Sequence, residues 1–240
     1  MIDLLKSAAK TVGNSYFGPK ARAELLSLLA QHSSGSGTDI LAITKAYKGS
    51  GWYRRLGAFQ VDSEFVRLVD WVSQQAPARI MEIGTASGAT LLAWCRIASE
   101  SVISVDLPGG IHGGGYSRQR QPLYRLFTYG RPNVSLHLLQ KDSHLWETKL
   151  EVDAILGSRQ LDILFIDGDH TLEGVTADYD LWRTIVKPGG FIIFHDILKH
   201  KYLSDVHVDV LWNRIKHDYP RLEIVGDPEQ GWAGIGILFV

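Results

Sequence analysis

Two apolar segments of the chain end in clusters of ionisable side chains. The segment "LDILFIDGDH" ends with Asp167 and His170, and "GGFIIFHDI" carries His195 and Asp196 near its end. A strand that only fills a core has no use for such an end, because burying an unpaired carboxylate is costly. Two carboxylates and an imidazole can hold a divalent cation, and an imidazole with a pKa of about 6.5 can take a hydroxyl proton near neutral pH. The two segments therefore predict metal or acid–base chemistry.

Each of these side chains could instead have a purely structural role. His195 could be a hydrogen-bonded structural residue and Asp196 a helix cap. His170 could bond to a neighbouring aspartate at the start of a helix. A stretch with four arginines, "SRQRQPLYRLFTYGR", could likewise be a basic patch or only solvated surface.

A glycine-containing turn and two further acids precede these segments. The turn in "MEIGTASGAT" follows Glu82 and lacks both the G-x-G-x-x-G pattern and the lysine of a phosphate loop. An acid beside the turn suits a cationic or zwitterionic ligand better than a pyrophosphate. Asp106 ends the next strand, where an acid can accept hydrogen bonds from ribose hydroxyls. Asp142 and Ser143 follow the third strand and could bind an adenine edge, although any one acid at a strand end could be a helix cap.

The elements that must position these residues alternate between strand and helix from Arg79 onward. Continuous Val/Ile/Leu strands separated by helices predict a parallel sheet covered on both faces, with ligands at the carboxyl ends of its strands. The last two strands are joined by a short connection, so we expect them to be antiparallel. We predict an α/β fold with a Rossmann-like, doubly wound, seven-stranded sheet, its last strand antiparallel. Residues 1–60 would form a helical extension or cap, and 61–240 the ligand-binding domain.

Composition limits the function classes. The 240 residues carry a formal net charge of −1, which gives no electrostatic footprint for nucleic acid or an anionic membrane. The N-terminal stretch lacks the apolar run of a signal peptide, and no segment approaches the roughly 18 apolar residues of a membrane span. The single Cys95 excludes an intrachain disulfide. We expect a cytoplasmic protein that binds no nucleic acid and has no membrane span.

The order of these motifs resembles a known family. E-x-G-x-x-x-G, an acid after strand two and D-S after strand three resemble the class I S-adenosylmethionine-dependent methyltransferases over roughly residues 60–240. Ala86 replaces the middle glycine of the commoner motif, as in metal-dependent catechol-type O-methyltransferases. The stretches "LPGGIHGGGYSRQRQPLYRLF", "FIDGDHTLEGVTADYDLW" and "KPGGFIIFHDI" are similar to a subgroup associated with sugar and natural-product O-methylation. That subgroup includes macrolide-sugar O-methyltransferases and the cephalosporin-hydroxylase-like branch.

The resemblance assigns roles to the candidate residues. His170 lies where catechol-type enzymes carry a catalytic lysine and macrolide-sugar enzymes a histidine, so it is the expected base, with Asp167 beside it. The expected ligands of a divalent cation, Mg²⁺ or Mn²⁺, are Asp167, His195 and Asp196, although His195 departs from the pattern of both groups. The residues expected to bind S-adenosylmethionine are Glu82, Gly84, Thr85, Ser87, Gly88, Asp106, Asp142, Ser143 and Asp167.

The sequence thus predicts an enzyme, a metal-assisted O-methyltransferase acting on a hydroxyl of a sugar or natural product. The alternatives are metal-independent N- or O-methylation of a small molecule, and a methyltransferase-like protein that binds cofactor without turnover. The N-terminal helices could cap the acceptor site or form a homodimer interface. His112 and Tyr116, in or beside a glycine-rich loop, are candidate substrate contacts, and we expect Trp232 to pack the sheet edge rather than line a pocket.

Overall fold

The structure, a computed structural model, describes residues 18–109 and 115–240. Seven strands form one sheet: β1 Arg79–Ile83, β2 Ser101–Asp106, β3 Ser135–Gln140, β4 Leu161–Ile166, β5 Val186–His195, β6 Arg221–Ile224 and β7 Ile235–Phe239. The helices are α1 (18–31), α2 Gly37–Ala46, α3 Asp62–Gln74, α4 Ala89–Ile97, α5 Gln121–Tyr124, α6 Trp146–Leu156, α7 Leu172–Trp182 and α8 Val208–Ile215. Short 3₁₀ turns lie at Gly51–Tyr53, Arg118–Arg120 and Arg183–Ile185.

The strand order is β3-β2-β1-β4-β5-β7-β6. The first five strands pair in parallel, and β7 is antiparallel to both β5 and β6. This arrangement confirms the predicted doubly wound seven-stranded sheet. The order reverses between β1 and β4, and a crevice for ligands is expected outside the carboxyl ends of the strands at such a point.

The sheet is buried on both faces because successive strand residues point to opposite sides. On one face Ile80, Val102 and Ile163 pack in one apolar cluster with α1 to α4, including Leu25 of α1. On the other face the neighbouring strand residues, such as Met81 and Leu164, pack against α6, α7 and α8. This explains why the parallel strands have continuous apolar sequences, since neither face is left for polar side chains.

The N-terminal helices share a core with the sheet, and the segment that follows them crosses its carboxyl edge. The carbonyl oxygen of Gly57 accepts a hydrogen bond from the backbone N–H of Ala89 at 3.4 Å, at the start of α4. Residues 57–60 therefore lie beside the glycine turn. A boundary between two units at residues 60 and 61 stays a prediction.

None of the helices in the described ranges, 18–109 and 115–240, combines the length and the apolar character that a membrane span requires.

Candidate functional site

The glycine turn between β1 and α4 has an unusual backbone. Gly84, Ala86 and Gly88 have φ values of +87°, +43° and +85°, in the left-handed region. A Cβ on Gly84 would lie 1.9 Å from the carbonyl oxygen of Asp167, so that position requires glycine. Ala86 tolerates the same region with strain, which explains why the commoner motif has glycine there.

The carboxylate of Asp106 is bonded to this turn. Its Oδ2 accepts hydrogen bonds from the backbone N–H groups of Thr85 and Ala86, each at 2.9 Å, and Oδ1 accepts from that of Leu107 at 2.8 Å. Burial raises the pKa of Asp106, although the backbone N–H groups oppose this. Asp106 thus holds the turn in shape, and its contact with a ribose stays a prediction.

Glu82 lies beneath the turn rather than beside a cavity. Its side chain is fully buried, and within the described ranges neither carboxylate oxygen has a hydrogen-bond partner. Burial raises its pKa to about 8, despite the nearby hydroxyl groups of Thr85 and Thr90. Burial thus favours the protonated form of Glu82.

The ends of β4 and β5 bring together two aspartates and two histidines. Asp167 Oδ1 lies 3.3 Å from His170 Nε2 and 3.1 Å from His195 Nδ1. Asp196 Oδ2 lies 3.3 Å from His170 Nδ1 and 3.4 Å from His195 Nδ1. Both nitrogens of His170 therefore face carboxylate oxygens. We call these four residues the Asp–His cluster.

The electrostatics of the Asp–His cluster favour charged groups in spite of burial. Burial by itself would raise the pKa of Asp167 and Asp196, but the neighbouring imidazoles hold both below the usual value. Burial would lower the pKa of His170 and His195, but the two carboxylates raise both. The carboxylates and the imidazoles thus stabilise the charged forms of one another, so the cluster can exist inside the protein without another ion.

One subset of the cluster has donor atoms close enough for a metal ion. Ligand atoms of Asp167, His170 and Asp196 all lie within 4.8 Å of one another. This set contains His170 where the sequence predicted His195. His195 is 3% exposed, and its Nδ1 lies beside both carboxylates. It is placed to orient the carboxylates, as an outer-shell imidazole does.

Asp142 and Ser143 follow β3 as predicted, in a loop joined to α7. Asp142 Oδ1 accepts a hydrogen bond from the backbone N–H of His144 at 2.8 Å, and the carbonyl oxygen of Ser143 accepts from Trp182 Nε1 at 3.0 Å. His144 Nε2 lies 3.4 Å from the buried carboxylate of Asp178, and this contact raises the pKa of His144 to about 9. The loop is thus held to α7 by the His144–Asp178 pair.

A cavity of about 450 Å³ opens between the glycine turn and the Asp–His cluster. Of the predicted site residues it is lined by Gly84, Thr85, Asp167, His170, His195 and Asp196. The other predicted cofactor residues, which are not among its lining residues, are Glu82, Ser87, Gly88, Asp106, Asp142 and Ser143.

The cavity also has lining residues that the sequence reasoning missed. Phe59 and Gln60 end the stretch 1–60, in which the sequence predicts no site residue, and His200, Leu203 and Asp205 come from the connection between β5 and α8. No periodicity or motif marks such loop residues. The expectation for Trp232 was wrong, because its side chain lines the cavity.

The two candidate substrate contacts of the glycine-rich loop have different outcomes. His112 lies outside the described residues. Tyr116 is 3% exposed and packs edge-to-face against Tyr124 with ring centroids 4.9 Å apart, so it belongs to the core rather than to the cavity wall.

The arginine stretch is partly structural. The guanidinium group of Arg120 donates to the carbonyl oxygens of Arg54, Arg55 and Ser87, at 2.8, 2.7 and 3.3 Å. Arg131 donates to the carbonyl oxygen of Cys95 at 3.0 Å. At least these two arginines therefore hold the fold together, and Arg120 joins the glycine turn to the N-terminal loop.

Comparisons with known proteins agree with this geometry. Residues 81–197 match a protein family described as "Methyltransferase domain". The chain is similar to an O-methyltransferase from Bacillus cereus solved in complex with SAH, with 16% identity, 97% of each chain covered and a TM-score of 0.54. It is similar to the cofactor-bound protein Rv0187 from MTB, with 17% identity, 97% and 95% of the two chains covered and a TM-score of 0.54.

A curated relative matches only a part of its own length. "Uncharacterized protein y4gI" from Sinorhizobium fredii is 26% identical over 126 residues, which are 50% of this chain. The match spans 13% of that relative.

Proposed function

Because this chain carries a class I S-adenosylmethionine-dependent methyltransferase domain, we propose that it methylates a hydroxyl group of a sugar or natural product with the help of a divalent cation. The family match and the fold confirm the predicted domain type and enzyme class. The proposal for the acceptor and the cation is carried by one observation. The Asp–His cluster lies on the wall of a cavity that the glycine turn also lines.

The residues present fit the cofactor. The left-handed turn, which lines the cavity, and the acids near it would hold its amino-acid and ribose portions. S-adenosylmethionine supplies a methyl group on a positively charged sulfur. Alignment of two bound reactants can contribute roughly 7–11 kcal/mol to lowering the barrier.

His170 is the proposed proton acceptor. It is 34% exposed and lines the cavity, so a hydroxyl group can reach it, whereas His195 is buried. Asp167 and Asp196 lie beside its two ring nitrogens and fix the plane of the imidazole. In the neutral ring one nitrogen donates to a carboxylate, and the other can accept the hydroxyl proton. Removal of the hydroxyl proton contributes a factor on the order of 10²–10⁴ in rate.

The cluster also fits a divalent cation. The carboxylates of Asp167 and Asp196 would hold the ion, and an imidazole beside them favours Mn²⁺ over Mg²⁺, because imidazoles favour transition metals. Because one imidazole cannot both coordinate the ion and take up the hydroxyl proton, His170 is kept as the proton acceptor. A bound ion would polarise the hydroxyl oxygen of the methyl acceptor. Adjacent hydroxyl groups are attractive acceptors for that reason.

Calorimetric titrations test both parts of the proposal. We expect S-adenosylhomocysteine to bind chelator-treated protein with a dissociation constant in the micromolar range. We expect Mn²⁺ to bind the wild type and to bind Asp196→Asn at least about tenfold more weakly, since one ligand charge is lost. Asparagine tolerates the left-handed φ of +62° at this position, so the variant should fold. Folded wild-type protein that does not bind S-adenosylhomocysteine would refute the cofactor assignment.

A metal-independent enzyme is the second candidate. It is favoured by the Asp–His cluster, in which each carboxylate already faces two imidazoles. Methylation that persists in chelator, together with the absence of Mn²⁺ binding, would select this candidate. Cytoplasmic location, a homodimer and the absence of nucleic-acid binding stay predictions.

A further inference from the structure

Two adjacent residues beside the cavity have the opposite of their usual exposure. Phe59 is 75% exposed, whereas Gln60 is 7% exposed, and both line the cavity. Large apolar side chains are normally buried and amide side chains are normally on the surface, so an inverted pair is informative. An inverted pair at a cavity indicates that a ligand completes the environment of both.

The amide group of Gln60 has one hydrogen bond and one free atom. Its Nε2 donates to Asp167 Oδ2 at 3.3 Å. Its Oε1 is buried and has no hydrogen-bond partner in the part of the chain that the structure describes. A buried acceptor without a partner is destabilising, so a hydrogen-bond donor of a ligand is expected there. Because Asp167 belongs to the Asp–His cluster, that donor lies close to the proposed reacting hydroxyl.

The segment that follows β5 forms another part of the cavity wall. The Nδ1 atom of His200 accepts hydrogen bonds from the backbone N–H groups of Tyr202 and Leu203, at 3.2 and 2.8 Å. Leu203 is 55% exposed and, like Phe59, lines the cavity. The two side chains give the cavity an exposed apolar rim.

The charges of the wall disfavour one class of acceptor. No lysine or arginine is among the described lining residues of the cavity, whereas its acids are Asp167, Asp169, Asp196 and Asp205. The imidazoles of His170 and His195 already face Asp167 and Asp196, so a diphosphate would approach four carboxylates with little positive charge left to neutralise it. A nucleotide-linked sugar is therefore a poor fit, and a neutral acceptor is a good one.

We propose that residues 57–60 and Leu203 form the acceptor site, and that the acceptor is a neutral molecule with adjacent hydroxyl groups on an apolar or aromatic body. The body contacts Phe59 and Leu203 at the rim. One hydroxyl group donates to Gln60 Oε1, and the neighbouring hydroxyl group reaches the Asp–His cluster. This assignment rests on the proposed function.

Two simple dihydroxy probes test the rim. Catechol and phenylcatechol share the hydroxyl pair and differ by one phenyl ring. We expect phenylcatechol to bind protein saturated with S-adenosylhomocysteine at least about tenfold more tightly than catechol, because the rim contacts the added ring. Phe59→Ser should lose this gain in affinity from the phenyl ring. Tyr129→Ser is the matched control, since Tyr129 is 57% exposed but is not a lining residue of the cavity, and it should keep the gain.

A second variant tests the amide oxygen. Gln60→Leu removes the oxygen at similar volume, so it should weaken both probes by a similar factor of about ten and leave the gain from the phenyl ring intact. UDP-glucose, a charged compound with adjacent hydroxyl groups, should not compete.

The inference is overturned if the phenyl ring adds nothing in the wild type, if Phe59→Ser keeps the gain, if Gln60→Leu binds both probes like the wild type, or if UDP-glucose binds more tightly than phenylcatechol. It is also overturned if neither probe binds while S-adenosylhomocysteine does. Failure of S-adenosylhomocysteine to bind would refute the proposed function instead.

Discussion

Acids end the strands on both sides of the crevice, but their surroundings differ. At β4 and β5, Asp167 and Asp196 face imidazoles and line the cavity. At β2 and just after β3, Asp106 and Asp142 accept hydrogen bonds from backbone N–H groups of nearby turns, and neither is a lining residue of the cavity. We call these the cluster side and the turn side of the site.

The difference shows that the same residue type at equivalent strand ends can serve chemistry or conformation. A carboxylate bonded to backbone N–H groups already has its hydrogen bonds and fixes a loop. A carboxylate that faces imidazoles shares protons with them, and a substrate or a cation can change which of these groups is protonated. Substitutions on the cluster side should therefore change turnover, and those on the turn side should change cofactor affinity and stability.

The largest effect is expected on the cluster side. His170→Ala should lower the single-turnover rate of methyl transfer by about 10²–10⁴ with an acceptor that the wild type methylates, because the proton acceptor is lost. Calorimetry should show an affinity for S-adenosylhomocysteine within about threefold of the wild type. His217→Ala, at an exposed histidine just after α8, is the control. Unchanged single-turnover rates would remove His170 from the reaction.

The second-largest effect is expected at the glycine turn, which contacts Asp167 of the cluster side and Asp106 of the turn side. Gly84→Ala should lower the free energy of unfolding by about 3 kcal/mol, the upper end for overpacking, and should abolish binding of S-adenosylhomocysteine. The reason is the collision of the new Cβ with the backbone of Asp167. Gly57→Ala is the matched control, because a Cβ there has no neighbour within 4 Å. Denaturant titrations in which both variants unfold alike would contradict the argument.

A smaller effect is expected for Asp106→Ala on the turn side. The loss of one carboxylate leaves the N–H groups of Thr85 and Ala86 without their acceptor, and a buried donor left unpaired costs about 1–3 kcal/mol. Both the melting temperature and the affinity for S-adenosylhomocysteine should fall. Asp142→Ala, which loses a half-exposed contact with the N–H of His144, should change stability much less. Equal melting temperatures for the two variants would contradict the role of Asp106 in holding the glycine turn.

The smallest effect is expected for His144→Gln, and it depends on pH. The folded pKa of His144 is about 9, above the unfolded value of 6.5, so its pairing with Asp178 stabilises the fold fully below pH 6.5 and stops doing so as the pH rises through 9. The stabilisation by this pair is also lost at low pH, where Asp178 becomes protonated. The stability deficit of the variant should be on the order of 1 kcal/mol near pH 6.5, after allowance for solvent screening.

Thermal melts at several pH values check this prediction. The difference in melting temperature between the wild type and His144→Gln should shrink between pH 6.5 and pH 9. The same substitution at the exposed His217 controls for loss of a surface histidine. A difference that grows with pH would show that the His144–Asp178 pair does not stabilise the loop.

Local sequence was sufficient for the elements and for the composition of the strand ends. The buried strands are continuous apolar runs, the glycines mark the turn, and parallel strands present their carboxyl ends at one edge. From those rules the sheet and the candidate residues Asp167, His170, His195 and Asp196 could be predicted. The rules are local because each depends on residues close together in the chain.

Only the tertiary structure decided which partner each side chain has. His170 rather than His195 completes the candidate donor set, Asp106 bonds to the turn, and Gln60 reaches Asp167 across 107 positions of sequence. These pairings depend on the strand order and on the path of loops without periodicity, which no local pattern encodes. The sequence by itself therefore determined the doubly wound sheet and the residues at its strand ends, and the packing of distant segments determined the arrangement of the cavity.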